Sequence, residues 1–196
     1  MTEIADRKNG LPFRRYAHHI YALGQRIVAW AIRSLSNTDQ PMLGYVWRAW
    51  LIAIIPAILI SVVVNLVFGS LDWGRLASKG SVSTGPPAMW VVATAWVVGM
   101  VLLNPWLETL LMWPILRVLK LFIPEQLWVA VVSAWLWGGF HSLLVPGWGI
   151  TTAWGFFIFS VCFLEWEKKS TGRAIIVTAS VHMCQNAVPA ILVVTL

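Results

Sequence analysis

The sequence predicts an all-α polytopic membrane protein, with about five transmembrane helices plus an N-terminal interfacial amphipathic helix. Three observations carry that expectation. Charged residues make up only 11% of the 196 positions and hydrophobic ones 59%, where a soluble domain is nearer a quarter charged. Mean hydropathy is +0.74. The 14 Trp suit aromatic belts at two membrane interfaces, although Trp113, Trp135 and Trp137 fall where they would line an interior. The length suits one domain.

Residues 1–19, with Arg7, Lys8, Arg14, Arg15, His18 and His19, read as a basic cytoplasmic arm. They lack the apolar core of a cleaved signal peptide. Residues 20–35 carry Arg26 and Arg33. They are too short and too charged to span, which predicts an amphipathic helix lying in the inner interface. Positions 1–44 therefore form one region and 45–196 the transmembrane domain.

Tyr45 to Phe68 is the first span, with Arg48 able to snorkel at its inner end. Gly69 to Pro87, rich in Gly, Ser and Pro, is the longest connection. Ala88 to about Leu121 is longer than one span needs and holds Asn104-Pro105 and Trp113-Pro114. A bent or broken helix is expected there. Glu125 to Val145 forms the next span, Thr151 to Leu164 a short one, Glu165 to Arg173 a charged loop, and Ala174 to Leu196 the last span.

Basic residues flank one side, with only Arg75 and Lys79 on the other. The positive-inside rule then puts the N-terminus in the cytoplasm and the C-terminus outside. The expected location is a bacterial inner (plasma) membrane. The net charge of +6 points to anionic lipid and membrane topology, with no nucleic acid partner. Cys162 and Cys184 read as small buried hydrophobes.

Chemistry concentrates in three apolar segments. Glu108, in Asn104-Pro105-Trp106-Leu107-Glu108-Thr109, is the sole acidic residue between Gly80 and Pro124. A charge at membrane depth costs at least ~2.5 kcal/mol, so it marks a functional site with a partner by default. Asn104, one turn before it, is the natural local partner, while Arg117 falls half a turn out of phase. A carboxylate in such surroundings suits a general base. Trp137-Gly138-Gly139-Phe140-His141 places Trp137 and His141 on one face, with glycines that permit close approach. His182-Met183-Cys184-Gln185-Asn186 sets an imidazole and a carboxamide one turn apart, the donors of an oxyanion hole. Each motif alone also fits polar residues that join helices in a membrane.

Taken in order, Glu108 to Trp113, Trp137-x-x-x-His141 and His182-x-x-x-Asn186 resemble a known motif series, E-E-x-x-x-R, F-x-x-x-H, H-x-x-x-N/D. It belongs to the CPBP (Abi, CAAX-protease-like) family of intramembrane glutamic-type proteases. Thr171-Gly172 also fits the family's lead-in to its last helix, and the resemblance covers about residues 88–196. It implies a helical fold with a cavity open to membrane and cytosol. It also implies that Glu108 activates a water, that His141 shares this water, and that His182 and Asn186 stabilise the oxyanion. The family's second Glu falls on Thr109, its Arg on Trp113, and the aromatic of the second motif is Trp137.

The expected function is thus an intramembrane endopeptidase cutting a membrane-associated protein or peptide. The alternative is a catalytically inactive CPBP-like pseudoprotease that scaffolds another membrane protein. A proton-coupled carrier using Glu108 is a third reading, weakened by the lack of internal repeats. Glu with two His is also a zinc ligand set. The Asn one turn from His182 and the absence of H-E-x-x-H argue for neither metal nor cofactor.

Depth is a further expectation. Along ideal helices Glu108 and His182 lie ~14 Å from the cytoplasmic ends of their spans and His141 ~24 Å from its own. A bend at Pro105 or Pro114, or a deeper start after Pro124, would have to close that gap.

A peptide of residues 1–35 is expected to bind anionic vesicles, with binding that falls as salt rises. Co-sedimentation at two ionic strengths checks this, and salt-insensitive binding removes the interfacial reading of the arm.

Overall fold

The computed structural model describes residues 11–68, 91, 94–144 and 147–195. Among these, five helices are long and apolar enough to cross a membrane. We number the helices α1 (Leu11–Ser36), α2 (Met42–Phe68), α3 (Thr94–Phe122), α4 (Gln126–Leu144), α5 (Trp148–Glu167) and α6 (Thr171–Thr195). The chain is an all-α polytopic membrane protein. The connection expected over Gly69 to Pro87 lies outside the described residues.

α1 begins nine residues earlier than expected, at Leu11. Pro12 is tolerated because it sits in the first turn, where its missing N–H has no partner to lose. The helix is amphipathic in character. Arg26, Arg33, Ile27 and Trp30 are exposed while Leu35 is buried. The Tyr45 hydroxyl, buried in α2, donates to the Leu35 carbonyl at 2.8 Å and fixes the junction. Tyr45 also meets Trp166 edge-to-face at 5.2 Å.

α5 is the axis of the bundle. In its most apolar 18 residues 56% are buried, against 17–39% in the corresponding stretches of the other spans. It packs on α2, α4 and α6, while α3 rests on α4 and α6. Phe156, Phe159 and Phe163 of α5 meet Met112, Val129, Val177 and Val181 in one core. The α4–α5 crossing depends on Gly138 and Gly149. A Cβ added at Gly138 would stand 2.8 Å from the Gly149 carbonyl oxygen. Gly139, by contrast, faces open space. Only the first glycine of the pair therefore serves the close approach expected of both.

Two expected boundaries move. α5 spans 20 residues, Trp148–Glu167, instead of the short Thr151 to Leu164. Gly147, at φ 84°, turns the chain so that the helix starts at Trp148. Glu165-Trp166-Glu167 stay helical, which contracts the expected charged loop to Lys168–Ser170. The reason is ionic: Glu167 pairs with Lys120 and lies 3.5 Å from Arg117, so it holds the end of α5 against α3. Lys169 reaches back to the Thr38 carbonyl at 2.8 Å and Asp39 at 2.6 Å. Its hydrogen bond and charge hold the exposed Asp39 carboxyl below the usual carboxylate range. Cys184, expected to be buried, is exposed on the bundle's outside, whereas Cys162 is buried.

The expected break in the third segment is instead a continuous helix. Gly99–Leu103 widens into a π turn, and Asn104 N–H donates to the Gly99 carbonyl five residues back. The wide turn takes up the ring of Pro105 without a break. Pro114 lies inside the same helix without ending it.

Pro56 interrupts α2 in the same way, since it removes the N–H that the Ile52 carbonyl would accept. The indole N–H of Trp154, on α5, fills this place. It lies 3.4 Å from the Ile52 oxygen and 3.1 Å from that of Ala53. Trp154→Phe keeps the ring but leaves a carbonyl unanswered in a dry interior. The expected loss is about 1 kcal/mol of stability, read as a lower unfolding midpoint in detergent. An unchanged midpoint would deny the cap.

Candidate active site

Three separate spans deliver the three ionisable groups to one place. Glu108 Oε2 lies 3.3 Å from His182 Nε2, and Glu108 Oε1 lies 3.8 Å from His141 Nε2. The side chains are 21%, 5% and 13% exposed for Glu108, His182 and His141. The cluster is therefore closed at His182 and open along the Glu108–His141 edge.

The expected mismatch in depth disappears for a reason other than a bend or a deeper start. α3 runs unbroken through Pro114 to Phe122, one residue past its expected end at Leu121, so the depth of Glu108 is counted from there and not from Arg117. Along the helix Glu108 is then about 21 Å from Phe122, and His141 is about 22 Å from Gln126. Two helices joined by the short turn Ile123–Glu125 thus bring these residues level. Ile123 is extended (φ −122°, ψ 109°), as the residue before Pro124 must be.

Each imidazole is held by its own neighbours. His141 Nδ1 is 2.8 Å from the Trp137 carbonyl oxygen. A carbonyl accepts, so Nδ1 carries the proton, and neutral His141 turns the lone pair of Nε2 toward Glu108. Trp148 stands edge-to-face on the same ring at 5.3 Å. His182 stacks on Phe159 at 4.3 Å and meets Phe156 edge-to-face at 5.4 Å. Phe156 lies between both histidines, 5.2 Å from His141, and stacks on Trp137 at 4.6 Å. Sequence reasoning missed Phe156, Phe159 and Trp148. The only signal for the two Phe was the aromatic run Trp154 to Phe159, which reads as ordinary lipid-facing or core sequence, and Trp148 stood before the expected start of its span.

The remaining predicted residues divide. Trp137 is buried and supports the site by its ring and its carbonyl. Thr109 is buried beside Glu108 in sequence, with no hydrogen-bond partner for its hydroxyl. Trp113 lies beneath the Arg117 guanidinium at 5.1 Å, so Arg117 faces Glu167 and Trp113 instead of Glu108, as its phase requires. Asn104 is not the partner of Glu108. Its carboxamide turns back to Met100 Sδ at 3.5 Å, and the carboxylate is flanked instead by the imidazoles of α4 and α6.

Asn186 shares a helix face with His182, yet its Nδ2 donates to the Met100 carbonyl at 3.0 Å. The reason is local to α3. In the π register that joins Asn104 to Gly99, the next donor would be residue 105, on the oxygen of Met100. Proline has no N–H. Asn186 supplies the missing donor and ties α6 to the wide turn just above Glu108. One N–H of its amide remains over.

Among the described residues no group of three His, Cys, Asp or Glu is arranged to hold a metal ion. The arrangement offers a carboxylate between two imidazoles, one of which presents a free lone pair. No family model, curated protein or solved structure matches this chain.

Asn186→Ala is expected to lower stability by roughly 1 kcal/mol, since it leaves the Met100 oxygen bare. Asn186→Ser, too short to reach, should behave alike, while Pro105→Ala should rescue either variant by restoring the backbone donor. Detergent unfolding of the single and double variants reads this coupling, and strictly additive losses would refute it.

Proposed function

We propose that this protein is an intramembrane endopeptidase of the CPBP type, hydrolysing a peptide bond of a membrane-associated protein or peptide. One observation carries the reading: a membrane-buried carboxylate lies against the imidazoles of two other spans, in the motif order that resembles that family. The interval of 3.8 Å between Glu108 and His141 is too long for a direct hydrogen bond. It suits a water held by both.

In the proposed reaction Glu108 takes a proton from that water, with His141 Nε2 accepting its second hydrogen bond. The water oxygen adds to the scissile carbonyl carbon. Nε2–H of His182 meets the resulting oxyanion, together with the N–H of Asn186 not used by Met100. Collapse breaks the C–N bond, and the proton held by Glu108 passes to the leaving amine. One water is consumed, and a carboxylic acid and an amine result. No metal or cofactor enters the scheme. Trp137 acts as a positioning residue through its carbonyl, and Thr109 and Trp113 take no part in proton transfer.

The orientation proposed with this function places the N-terminus in the cytoplasm of a bacterial inner membrane. In its support, the Lys and Arg of the described residues gather at one end of the bundle. Arg48, Arg117, Lys120, Lys168, Lys169 and Arg173 all stand there.

A second reading is a catalytically inactive scaffold for another membrane protein. Thr109 and Trp113 favour it, because they replace the charged pair of the family's first motif with uncharged side chains whose polar atoms have no hydrogen-bond partner.

Glu108→Gln is expected to lower peptide cleavage by at least about 100-fold, and His182→Ala by a similar factor. Both variants should stay folded, and chelators should leave the wild type active. Product mass in reconstituted vesicles is the readout. Full activity in folded Glu108→Gln would end the peptidase reading and leave the scaffold.

A further inference from the structure

The depth of the site along the bundle says from which side it is reached. All the described basic residues of the spans and their turns mark one end. There Glu167 joins Arg117 and Lys120, and Lys169 joins Asp39. The Glu108–His141–His182 cluster is far from this end. His141 is within one turn of Leu144, the last residue of α4. The ring touching it belongs to Trp148, the first residue of α5. Measured from the basic end, the three groups lie about 21, 22 and 17 Å along their helices. Counted from Arg117 and Arg173 themselves, Glu108 and His182 lie about 14 Å in, and the hydrocarbon core is roughly 30 Å thick, so the cluster stands at or beyond its middle.

The path from the basic end is also filled. Between cluster and basic end lie Met112, Leu116, Val129, Ala130, Phe163 and Val177, all essentially inaccessible. Ser133 and Ser160 are consumed by each other at 3.0 Å within that plug. Toward the opposite end the residues on the Glu108 face loosen. Asn104, one turn beyond Glu108, is exposed and makes one weak contact to Met100 Sδ. Glu108 and His141, 21% and 13% exposed, both lie beyond the plug as counted from the basic end.

We propose that water and substrate reach this site from the non-cytoplasmic side. Its substrates are then exported or membrane-anchored polypeptides that present an extended segment in the outer half of the bilayer. This inference rests on the peptidase reading for the word substrate, but the aqueous opening stands apart from catalysis. It differs from the cytosolic opening that the family resemblance implies.

The test uses the full chain in cell membranes, with Cys184→Ala as background; Cys162 is fully buried. Asn104→Cys reports the proposed opening and Ser170→Cys the basic end. A membrane-impermeant maleimide should add one label mass to Asn104→Cys in intact spheroplasts. Ser170→Cys should take the label only after permeabilisation. The reverse pattern, or an Asn104→Cys unlabelled from both sides, overturns the proposal. A single-span reporter, cleavable in either half, should give only the outer-half product, and inner-half cleavage would equally overturn it. Labelling as expected, together with a fully active Glu108→Gln, would remove the peptidase reading while the outward opening stood.

Discussion

A membrane interior offers no water to a polar group, so each one must be answered by another part of the chain. The fold of this protein depends on how that demand is met. Glu108 lies 3.3 Å from His182 and 3.8 Å from His141, on two other spans, the second interval suiting a shared water. The carbonyl of Ile52 freed by Pro56 is answered by Trp154, and that of Met100 freed by Pro105 by Asn186. Ser133 and Ser160 answer each other across α4 and α5. Since dispersion alone distinguishes one apolar neighbour from another in lipid, these contacts supply much of the specificity that selects one packing of five apolar helices.

The site is built on the same logic. The axial helix α5 donates no ionisable group, yet Phe156 and Phe159 orient both histidines, and Gly149 lets α4 approach closely enough for His141 to arrive. The π turn of α3 has a double effect: it accommodates Pro105 and is tied by Asn186 to the helix that carries His182. Backbone irregularity, aromatic stacking and the charged cluster are consequently one assembly. A π turn beside a functional residue is a common association, and the missing donor of a single proline is its cause here.

Much of this was legible in the sequence. Composition and hydropathy predict five spans, and the isolation of Glu108 among Val, Leu, Trp and Met singles it out. The three motifs name the residues that converge. What was not legible has physical causes. Asn104 and Asn186 both stand one turn from a site residue, and spacing alone does not tell which carboxamide is claimed by a backbone carbonyl. The end of α5 was set too early, at Glu165, an acidic residue that stays helical. Lys120 and Glu167 neutralise each other at the interface and let the helix run on. The false mismatch in depth between Glu108 and His141 came from counting α3 from Arg117, inside the helix, and α4 from its first residues. Phe156 looked like any other apolar residue, because its importance comes from lying between two rings that meet only in the folded bundle.

The two proline caps have a consequence for descent. Pro56 with Trp154, and Pro105 with Asn186, are partners far apart in the chain, and each member is a liability without the other. A proline alone strands a carbonyl, and a carboxamide or indole alone strands a donor. Neutral drift through lipid-facing positions is permissive, whereas these four positions are expected to change in pairs. Among descendants of one ancestor, loss of Pro105 would release position 186 from its tie to Met100. That residue would then be free to vary without stranding a backbone carbonyl.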